Sequence, residues 1–263
     1  MTTSLLTQEQ RRQWLIDALL AEDERYAGIQ MPTDEEGQRR LLRALFNVRP
    51  PMPANDEFLQ VQDAYLQERA IEKGITRLED LTPLQTHLHV WQGDITTLAV
   101  DGIVNAANSQ MLGCFAPNHG CIDNAIHSFA GVQLRLACAE QMAAQGHEER
   151  TGQAKITPGF NLPATHVLHT VGPIVGWQGV TPRDQASLAS CYRSCLALAE
   201  EHDLRSIAFC CISTGEFHYP NDQAARVAVD VVNTYLQEAE HPMEVVFNVF
   251  KQVDLQLYRE LLG

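Results

Sequence analysis

The chain has 263 residues, and 33 acidic against 19 basic side chains give it a formal net charge of −14. This length can bury a full core, as one large domain or one domain with an extension, and the acidic balance argues against general nucleic-acid binding, which needs a basic face. Seven cysteines, an odd number spread along the chain, do not indicate a secreted disulfide framework.

The first twelve residues lack the basic start and the long apolar run of a signal peptide. No uninterrupted apolar run reaches the length needed to span a membrane. We therefore expect a cytoplasmic protein without a membrane partner, in a reducing compartment where thiols remain free to bind metal.

Residues 1–85 predict a helical extension. Thr7 with Gln10, and Thr33 with Glu36, form capping-box patterns ahead of two helices, and Asn55 is expected to cap a third. We expect these helices to pack on the main domain rather than to fold independently.

From residue 88 the pattern changes to alternating strands and helices, which imply a sheet covered by helices on both faces. A single long helix is expected to end at Gly146. The predicted strands are 88–92, 102–105, 153–157, 166–170, 206–212 and 245–249, and the predicted helices are 123–145, 184–202, 222–238 and 254–262.

Two segments that follow predicted strands, residues 105–127 and residues 213–220, carry most of the polar chemistry. The first runs from Asn105 to His127 and contains two asparagines, Asn105 and Asn108, whose amides can donate and accept hydrogen bonds. Asp123 lies where a helix is expected to begin, near its positive end. Ligands of open α/β sheets bind beyond the carboxyl ends of the strands, so these segments are candidates for a ligand site.

Cys114, His119 and Cys121 form a C-x4-H-x-C cluster within the first segment. Thiolates and imidazole are zinc ligands, and three protein ligands leave the fourth position open, as in reactive sites. The spacing alone equally allows two small buried thiols and a surface histidine, and a fourth ligand could come from His127 or a distant cysteine. For the other cysteines we expect core positions: Cys138, Cys191, Cys195, Cys210 and Cys211.

Three motifs together resemble those of macrodomains, the modules that bind ADP-ribose. They are Gly93–Thr96, the pair formed by Val104–Ser109 and Ile122–His127, and Ser213–Pro220, and their order and spacing agree. The resemblance runs from about Leu88 to the C-terminus. It implies a three-layer α/β/α macrodomain with a mixed central sheet at residues 86–263, preceded by the helical extension at residues 1–85.

The resemblance also implies how the nucleotide part of ADP-ribose is held. Asp94 and the backbone amide of Ile95 would bind the adenine, although a turn or helix cap is the competing role for Asp94. Because the net charge repels an anion, local amides must hold the diphosphate. Those amides would come from the loop Ser213, Thr214, Gly215, Glu216 and Phe217, with Phe217 packing on a ribose or simply in the core and Glu216 pointing away from the phosphates.

At the other end of the ligand, the resemblance places Asn108 and Asp123 beside the distal ribose as catalytic residues. Asn108 would bind a ribose hydroxyl, and Asp123 would orient a water or polarise a hydroxyl. A helix N-cap is the simpler role for Asp123, and it is compatible with the first. His127 is expected to pack structurally.

Ordinary hydrolytic macrodomains carry a run of glycines where this chain has Gly113–Cys121. The segment is similar to that of a zinc-containing, MacroD-like microbial subclass, whose protein-ADP-ribose hydrolases work beside a sirtuin-type ADP-ribosyltransferase. This implies a Zn²⁺-dependent hydrolase that removes mono-ADP-ribose from proteins, with a lipoylated glycine-cleavage-H-like carrier as the implied substrate. Two alternatives remain: a module that binds ADP-ribose without cleaving it, and a closed zinc site that only stiffens the loop.

Overall fold

Three helices form the N-terminal part of the computed structural model, which describes residues 6–263. They are α1 (Gln8–Ala21), α2 (Glu35–Val48) and α3 (Asp56–Lys73). The first five residues of the predicted extension, and with them the start of the stretch without signal-peptide features, lie outside the described residues.

Two of the three predicted helix caps are confirmed. Thr7 forms the capping box with Gln10, and Asn55 caps α3. The prediction for α2 was wrong by one residue, because Asp34 rather than Thr33 is the cap and accepts the amide of the residue three positions later at 2.7 Å. An aspartate is as good a cap as threonine or better, and its charge also interacts favourably with the helix dipole.

The N-terminal helices bury an apolar cluster of their own. The amphipathic faces of α1, α2 and α3 meet there, which is how short helices gain stability that their intrinsic propensity does not supply. On α3 the buried face includes Phe58, Val61 and Tyr65. The fully or nearly fully buried members of the cluster are Leu15, Ile16, Leu19, Leu42, Leu45, Phe46, Phe58, Val61, Tyr65 and Leu66.

A six-stranded mixed sheet forms the centre of the rest of the chain. In spatial order its strands are β2 (Leu88–Gln92), β8 (Glu244–Val249), β7 (Ser206–Phe209), β4 (Gly102–Ala107), β6 (His166–Val171) and β5 (Ala154–Pro158). Five strands run parallel, and β5 lies antiparallel to β6 at one edge. The two-residue strands β1 (Thr76–Arg77) and β3 (Leu98–Ala99) pair with each other outside this sheet.

Helices cover both faces of the sheet. On one side α4 (Ile122–Ala130) and α5 (Val132–Gln145) pack together, and α2 and α3 contact α4. On the other side α6 (Pro182–Glu201), α7 (Asn221–Glu238) and α8 (Gln252–Leu262) form a layer. The predicted three-layer α/β/α fold with a mixed central sheet is therefore confirmed.

The single long helix predicted for residues 123–145 is wrong, because the chain breaks at Gly131 into α4 and α5. Gly131 has φ +99° and ψ 175°, a conformation that is essentially restricted to glycine. The predicted strand 206–212 ends early, at Phe209, so residues 210–212 belong to the loop that follows. The expected helix end at Gly146 is confirmed, with φ +75°.

The sheet order brings the two polar segments together. β4 and β7 are parallel neighbours, so their carboxyl ends lie at the same edge of the sheet, where residues 108–121 and 210–220 follow them. Within residues 6–263, no helix combines the length and the apolar character needed to cross a bilayer. The cytoplasmic location stays a prediction.

Candidate active site at the strand ends

A buried polar network begins at the end of β4. Asn105 is fully buried, and its Nδ2 donates to Asp123 Oδ1 at 2.8 Å and lies 3.1 Å from His169 Nδ1. Asn108 Nδ2 lies 3.5 Å from Asp123 Oδ2 and 3.2 Å from the carbonyl of Gly113. The two asparagines therefore place donors around a single carboxylate, as their amide chemistry allows.

Asp123 is only 5% exposed at the start of α4. Burial raises its pKa to about 6, and the hydrogen bond from Asn105 offsets part of that rise. The simpler role considered for this residue, that of a helix cap, belongs instead to Cys121, whose Sγ accepts the amide of Asn124 at 3.4 Å. Asp123 is thus free to turn both oxygens toward the asparagines.

The structure brings Cys114, His119 and Cys121 together. Their ligand atoms all lie within 4.8 Å of one another, and Cys114 Sγ is 3.7 Å from His119 Nδ1. All three are partly exposed. Burial, with a smaller contribution from the neighbouring Cys114, raises the pKa of Cys121 to about 12, although the hydrogen bond from the Asn124 amide acts to lower it. A pair of sulfurs and one imidazole at this spacing is a donor set that fits Zn²⁺.

The residues after β7 form a tight loop opposite the cysteines. Ser213 has φ +65°, and its hydroxyl is buried without a hydrogen-bond partner among the described residues. Gly172, after β6, leaves room for this hydroxyl, since a Cβ there would lie 2.0 Å from Ser213 Oγ. Thr214 bonds back to the carbonyl of Cys211, which leaves the exposed Gly215 at the tip of the loop.

The same loop reaches the cysteine segment through Glu216. Its Oε1 lies 3.7 Å from His119 Nε2, on the ring nitrogen that does not face Cys114. Glu216 is exposed, and its carboxylate is directed at the imidazole of His119. Phe217 is half-buried, and its carbonyl accepts the amide of Val175 at 2.9 Å, so the loop is tied to the segment after β6. The two loops thus lie next to each other at the strand ends, where Glu216 contacts His119.

Asp94 lies at the opposite end of the sheet edge, after β2. Its Oδ1 accepts hydrogen bonds from the amide and hydroxyl of Thr96, and its Oδ2 is 2.5 Å from Lys73 Nζ of α3. Burial would raise the pKa of Asp94, but the bonds from Lys73 and Thr96 outweigh it, and the pKa is lowered. Ile95 opens a 3₁₀ turn, where the first amides have no acceptor within the turn.

An exposed phenylalanine that the sequence analysis did not single out lies close to Asp94. Phe250 follows β8 directly and is 78% exposed, and Gln92, at the end of β2, donates to its carbonyl at 3.2 Å. Because β2 and β8 are paired, Phe250 and Asp94 lie at the same corner of the sheet. The sequence feature that could have identified Phe250 is its position as a single aromatic residue directly after a predicted strand.

The N-terminal helices also touch the site, which the sequence did not indicate. Arg43 of α2 donates to the carbonyl of His119 and to Asn124 Oδ1. Asn47, also on α2, accepts the amide of Asn118. With Lys73 on Asp94, the helices contact the cleft at both ends.

His127 does not join the cysteine loop. It lies with Cys138 and His169 in a buried group whose potential ligand atoms are within 4.8 Å, which agrees with the packing role expected for it. Burial lowers the pKa of His169 to about 3 and that of His127 well below its ordinary value. All seven cysteines are free, and Cys138, Cys191, Cys195 and Cys210 are core residues as expected, while Cys211 is partly exposed.

The fold and the site define an α/β/α domain whose polar loops lie at the carboxyl ends of parallel strands, where sheets of this kind bind ligands. A family model described as "Macro domain" matches residues 104–228. A Treponema medium protein named "Protein-ADP-ribose hydrolase" is 55% identical over 262 residues, which are 98% of this chain and 100% of that protein. The chain belongs to the macrodomain family.

Two further similarities cover different shares of the chain. A Fusarium oxysporum f. sp. cubense protein named "Probable bifunctional ADP-ribose hydrolase/ADP-ribosyltransferase" is 43% identical over 85% of this chain but only 40% of that protein. The crystal structure of the Trypanosoma brucei macrodomain in complex with ADP-ribose is 32% identical, with a TM-score of 0.64 over 84% of this chain and 95% of that chain.

Proposed function

We propose that this protein is a hydrolase that removes mono-ADP-ribose from modified proteins by cleaving the bond at the anomeric carbon of the distal ribose. The observation that carries the proposal is the buried Asp123 carboxylate, held between Asn105 and Asn108 beside the Cys114–Cys121 loop. The name of the Treponema medium relative, at 55% identity over nearly the whole chain, supports the same activity.

The cleft offers ADP-ribose a separate site for each of its parts. Asp94 and the Ile95 amide fit an adenine amine and ring nitrogen, and the exposed Phe250 supplies a face for stacking. The loop from Ser213 to Phe217 would hold the diphosphate, helped by the positive end of α7. The unpartnered Ser213 hydroxyl supplies a further donor.

The distal ribose would then lie beside Asn108 and Asp123, whose side chains are 3.5 Å apart. Cleavage passes through a cation-like sugar transition state, and a carboxylate leaving group departs readily, so the enzyme mainly has to hold the ribose and place a water. Asn108 donates to a ribose hydroxyl, while Asp123 accepts a hydrogen bond from the attacking water and aligns it. The buried position of Asp123 keeps that alignment rigid.

Cys114, His119 and Cys121 would hold Zn²⁺ beside this pocket. When bound, the ion supplies Lewis acidity toward an oxygen of the substrate or of water. His119 would ligate through Nδ1, which faces Cys114, and turn Nε2 toward Glu216. A carboxylate near the second ring nitrogen is one of the ways in which proteins orient a ligating histidine.

Replacement of the thiols tests this assignment. We expect Cys114→Ser and Cys121→Ser to lose zinc, measured by elemental analysis, together with most of the release of label from a mono-ADP-ribosylated protein. Cys211→Ser is the matched control, because this partly exposed thiol lies outside the cluster. Full turnover by a metal-free double variant would exclude a catalytic role for the metal.

The same assay separates hydrolysis from mere binding. A non-catalytic module would take up ADP-ribose in calorimetry and release no label. If the metal only stiffens the loop, cobalt substituted for zinc should show no spectral change when ADP-ribose is added, whereas an open site near the ribose should respond.

We further propose that the substrate is marked by a sirtuin-type ADP-ribosyltransferase, with a lipoylated glycine-cleavage-H-like carrier as the modified protein. The resemblance in the cysteine loop supports this, and the Fusarium protein whose name joins a hydrolase with an ADP-ribosyltransferase supports the link to a transferase. Incubating the carrier, modified by such a transferase, with this protein should release ADP-ribose faster than from an unrelated modified protein.

A further inference from the structure

The loop that carries the cysteines has little structure of its own. Inside residues 113–121, the described chain has one backbone–backbone hydrogen bond, from the amide of His119 to the carbonyl of Ala116 at 3.2 Å. Apart from isolated turns, the segment has no helix or strand. A loop of this kind keeps a single conformation only if groups outside it satisfy its polar backbone, so the residues that do so determine where the ligands point.

Asn124, at the start of α4, is one such group. It is fully buried, its Nδ2 donates to the carbonyl of Ala116 at 3.0 Å and lies 3.5 Å from that of Cys114, and its backbone amide donates to Cys121 Sγ at 3.4 Å. One residue therefore contacts both ends of the loop, next to the first and the last sulfur.

Arg43 of α2 fixes the orientation of that amide. Its Nη2 and Nε lie 2.8 and 3.1 Å from Asn124 Oδ1, and Nη2 also donates to the carbonyl of His119 at 3.1 Å. Since the guanidinium has donors only, Asn124 must turn its oxygen toward Arg43 and its nitrogen toward the loop. The planar fork reaches two acceptors at once, which an ammonium on a flexible stem does poorly.

A second residue of α2 supports the centre of the loop. Asn47 is fully buried, its Oδ1 accepts the amide of Asn118 at 2.9 Å, and its Nδ2 donates to Ser128 at 2.8 Å. Asn118 has φ +54°, a left-handed conformation that needs support from its surroundings. Asn118 directly precedes His119, so Asn47 helps to set the direction in which that imidazole leaves the backbone.

We infer that Arg43 is a positioning residue of the active site, which acts through Asn124 to hold Cys114, His119 and Cys121 in the arrangement that receives the metal. This inference rests on the proposed function, because it assumes that the three residues bind Zn²⁺. Helix α2, which lies outside the segment that matches the family model, therefore contributes a residue to the site.

The test measures zinc affinity by competition with a chromophoric chelator in the full-length protein. We expect Arg43→Gln to weaken zinc binding about 10- to 100-fold, as other losses of outer-sphere support do. The zinc affinity of Arg43→Lys should lie between those of Arg43→Gln and the unmodified protein, because lysine keeps the positive charge but lacks the two-pronged guanidinium. Arg40→Gln removes an exposed arginine from the same helix and should match the unmodified protein.

The unfolding midpoints of the same variants are measured in their metal-free forms. Their affinity for ADP-ribose and their turnover are measured as well. Loss of packing alone would lower the unfolding midpoint of the metal-free Arg43→Gln protein and leave its zinc affinity unchanged, which would overturn the inference. Absence of zinc uptake by the unmodified protein would overturn it as well, together with the metal part of the proposed function. If zinc affinity depends on Arg43 but no label is released, the inference stands and the proposed hydrolase activity fails. Arg43→Lys serves if the glutamine variant does not fold.

Discussion

At the level of single residues, the site depends on a carboxylate that folding removes from water. Asp123 is 5% exposed, and its polar neighbours among residues 6–263 include the neutral amides of Asn105 and Asn108. The imidazole of His127 also lies near, with Nε2 3.5 Å from Oδ1, and burial lowers the pKa of His127. Removing a charge from water is costly unless it is compensated. A protein that keeps an acidic group here loses stability relative to an amide, and such a cost is typical of catalytic positions.

Asp123→Asn is therefore expected to lower kcat by about 100-fold or more, in the range found for lost acid–base or positioning groups. The amide keeps the shape of the side chain and still accepts the bond from Asn105. KM should change little, because the adenine and diphosphate contacts lie elsewhere. Steady-state release of labelled ADP-ribose measures both constants, and Asp230→Asn, an exposed carboxylate on α7, is the control. Unchanged kcat in Asp123→Asn would remove this residue from the mechanism.

A buried histidine makes a second prediction possible. His169 is 1% exposed, and because Asn105 Nδ2 donates to its Nδ1, its proton is on Nε2 and is donated to Thr157 Oγ1 at 2.9 Å. Burial lowers its pKa to about 3. In the unfolded chain this histidine takes up a proton at about pH 6.5. Above that pH it is neutral in both states, and stability does not depend on its titration. Below that pH only the unfolded state binds the proton, so the folded state becomes less stable relative to it.

We expect the free energy of unfolding to fall by about 1.4 kcal/mol per pH unit on account of His169 between about pH 6.5 and pH 3. Urea unfolding at several pH values in this window, compared between the unmodified protein and His169→Gln, isolates the contribution, because the other titrating groups are common to both. The two profiles should converge as the pH falls from 6.5. Parallel profiles would show that His169 takes up its proton in the folded state at an ordinary pH.

At the level of secondary-structure elements, the break between α4 and α5 places Cys121 and Asp123 at the head of a short helix of their own. Gly131 makes the break with φ +99° and ψ 175°, and a Cβ there would lie 2.7 Å from side-chain atoms of Gln62 and Gln133. Gly146 also has positive φ, at +75°, but in the left-handed helical region and with no atom within 4 Å of a Cβ.

Gly131→Ala is expected to lower the free energy of unfolding by about 1–3 kcal/mol, because the backbone conformation is strained for any residue with a Cβ. In Gly146→Ala the new residue would adopt the left-handed helical conformation, which is less strained, and its Cβ would meet no neighbouring atom. This variant should therefore lose less free energy of unfolding than Gly131→Ala. Chemical denaturation of the two variants gives the comparison. Equal losses would mean that neighbouring side chains adapt freely around residue 131.

These elements show how far sequence patterns reach. Strand and helix alternation, and the caps at Thr7 and Asn55, depend on short-range chemistry, and both were predicted correctly. The pattern over residues 123–145 is helical on both sides of Gly131, and glycine alone does not reveal whether φ is positive. The break depends on the packing of Gln62 and Asn161 around that position, which is information from distant parts of the chain.

The site divides in the same way. The polar segments around Asn108, Asp123 and Ser213 could be located from sequence because each follows a strand and carries a recognisable motif. Arg43 and Lys73 could not. Arg43 is 81 residues from its partner Asn124, and Lys73 is a charged residue at the end of α3, where nothing in the pattern indicates a partner as far along the chain as Asp94. A long-range ion pair or hydrogen bond leaves no periodic signal in a single sequence.

At the level of the whole molecule, the N-terminal helices and the α/β/α layers have separate apolar cores but share buried polar contacts. Gln62 of α3 is fully buried, and its Oε1 accepts the amide of Val132, the first residue of α5. Arg135 of α5 donates to the carbonyls of Phe46 and Arg49 at the end of α2. Each part thus provides hydrogen-bond partners for backbone amides or carbonyls at a helix end of the other part, and these groups have no partner within their own helix.

Because an unpaired buried group costs about 1–3 kcal/mol, separation of the two parts would expose several such costs at once, and we expect them to unfold as one cooperative unit. Leu15→Ala, in the core of the extension, should cost about 2–5 kcal/mol. It should raise the hydrogen-exchange rates of the slowest amides in β4 and β7 as much as those in α1 and α3. The measurement is native-state hydrogen exchange followed by peptide, with the exposed Leu84→Ala as the control. Faster exchange confined to the first 85 residues would instead mark the extension as an independent domain, and the contacts of Arg43 and Lys73 with the cleft would then depend on its docking.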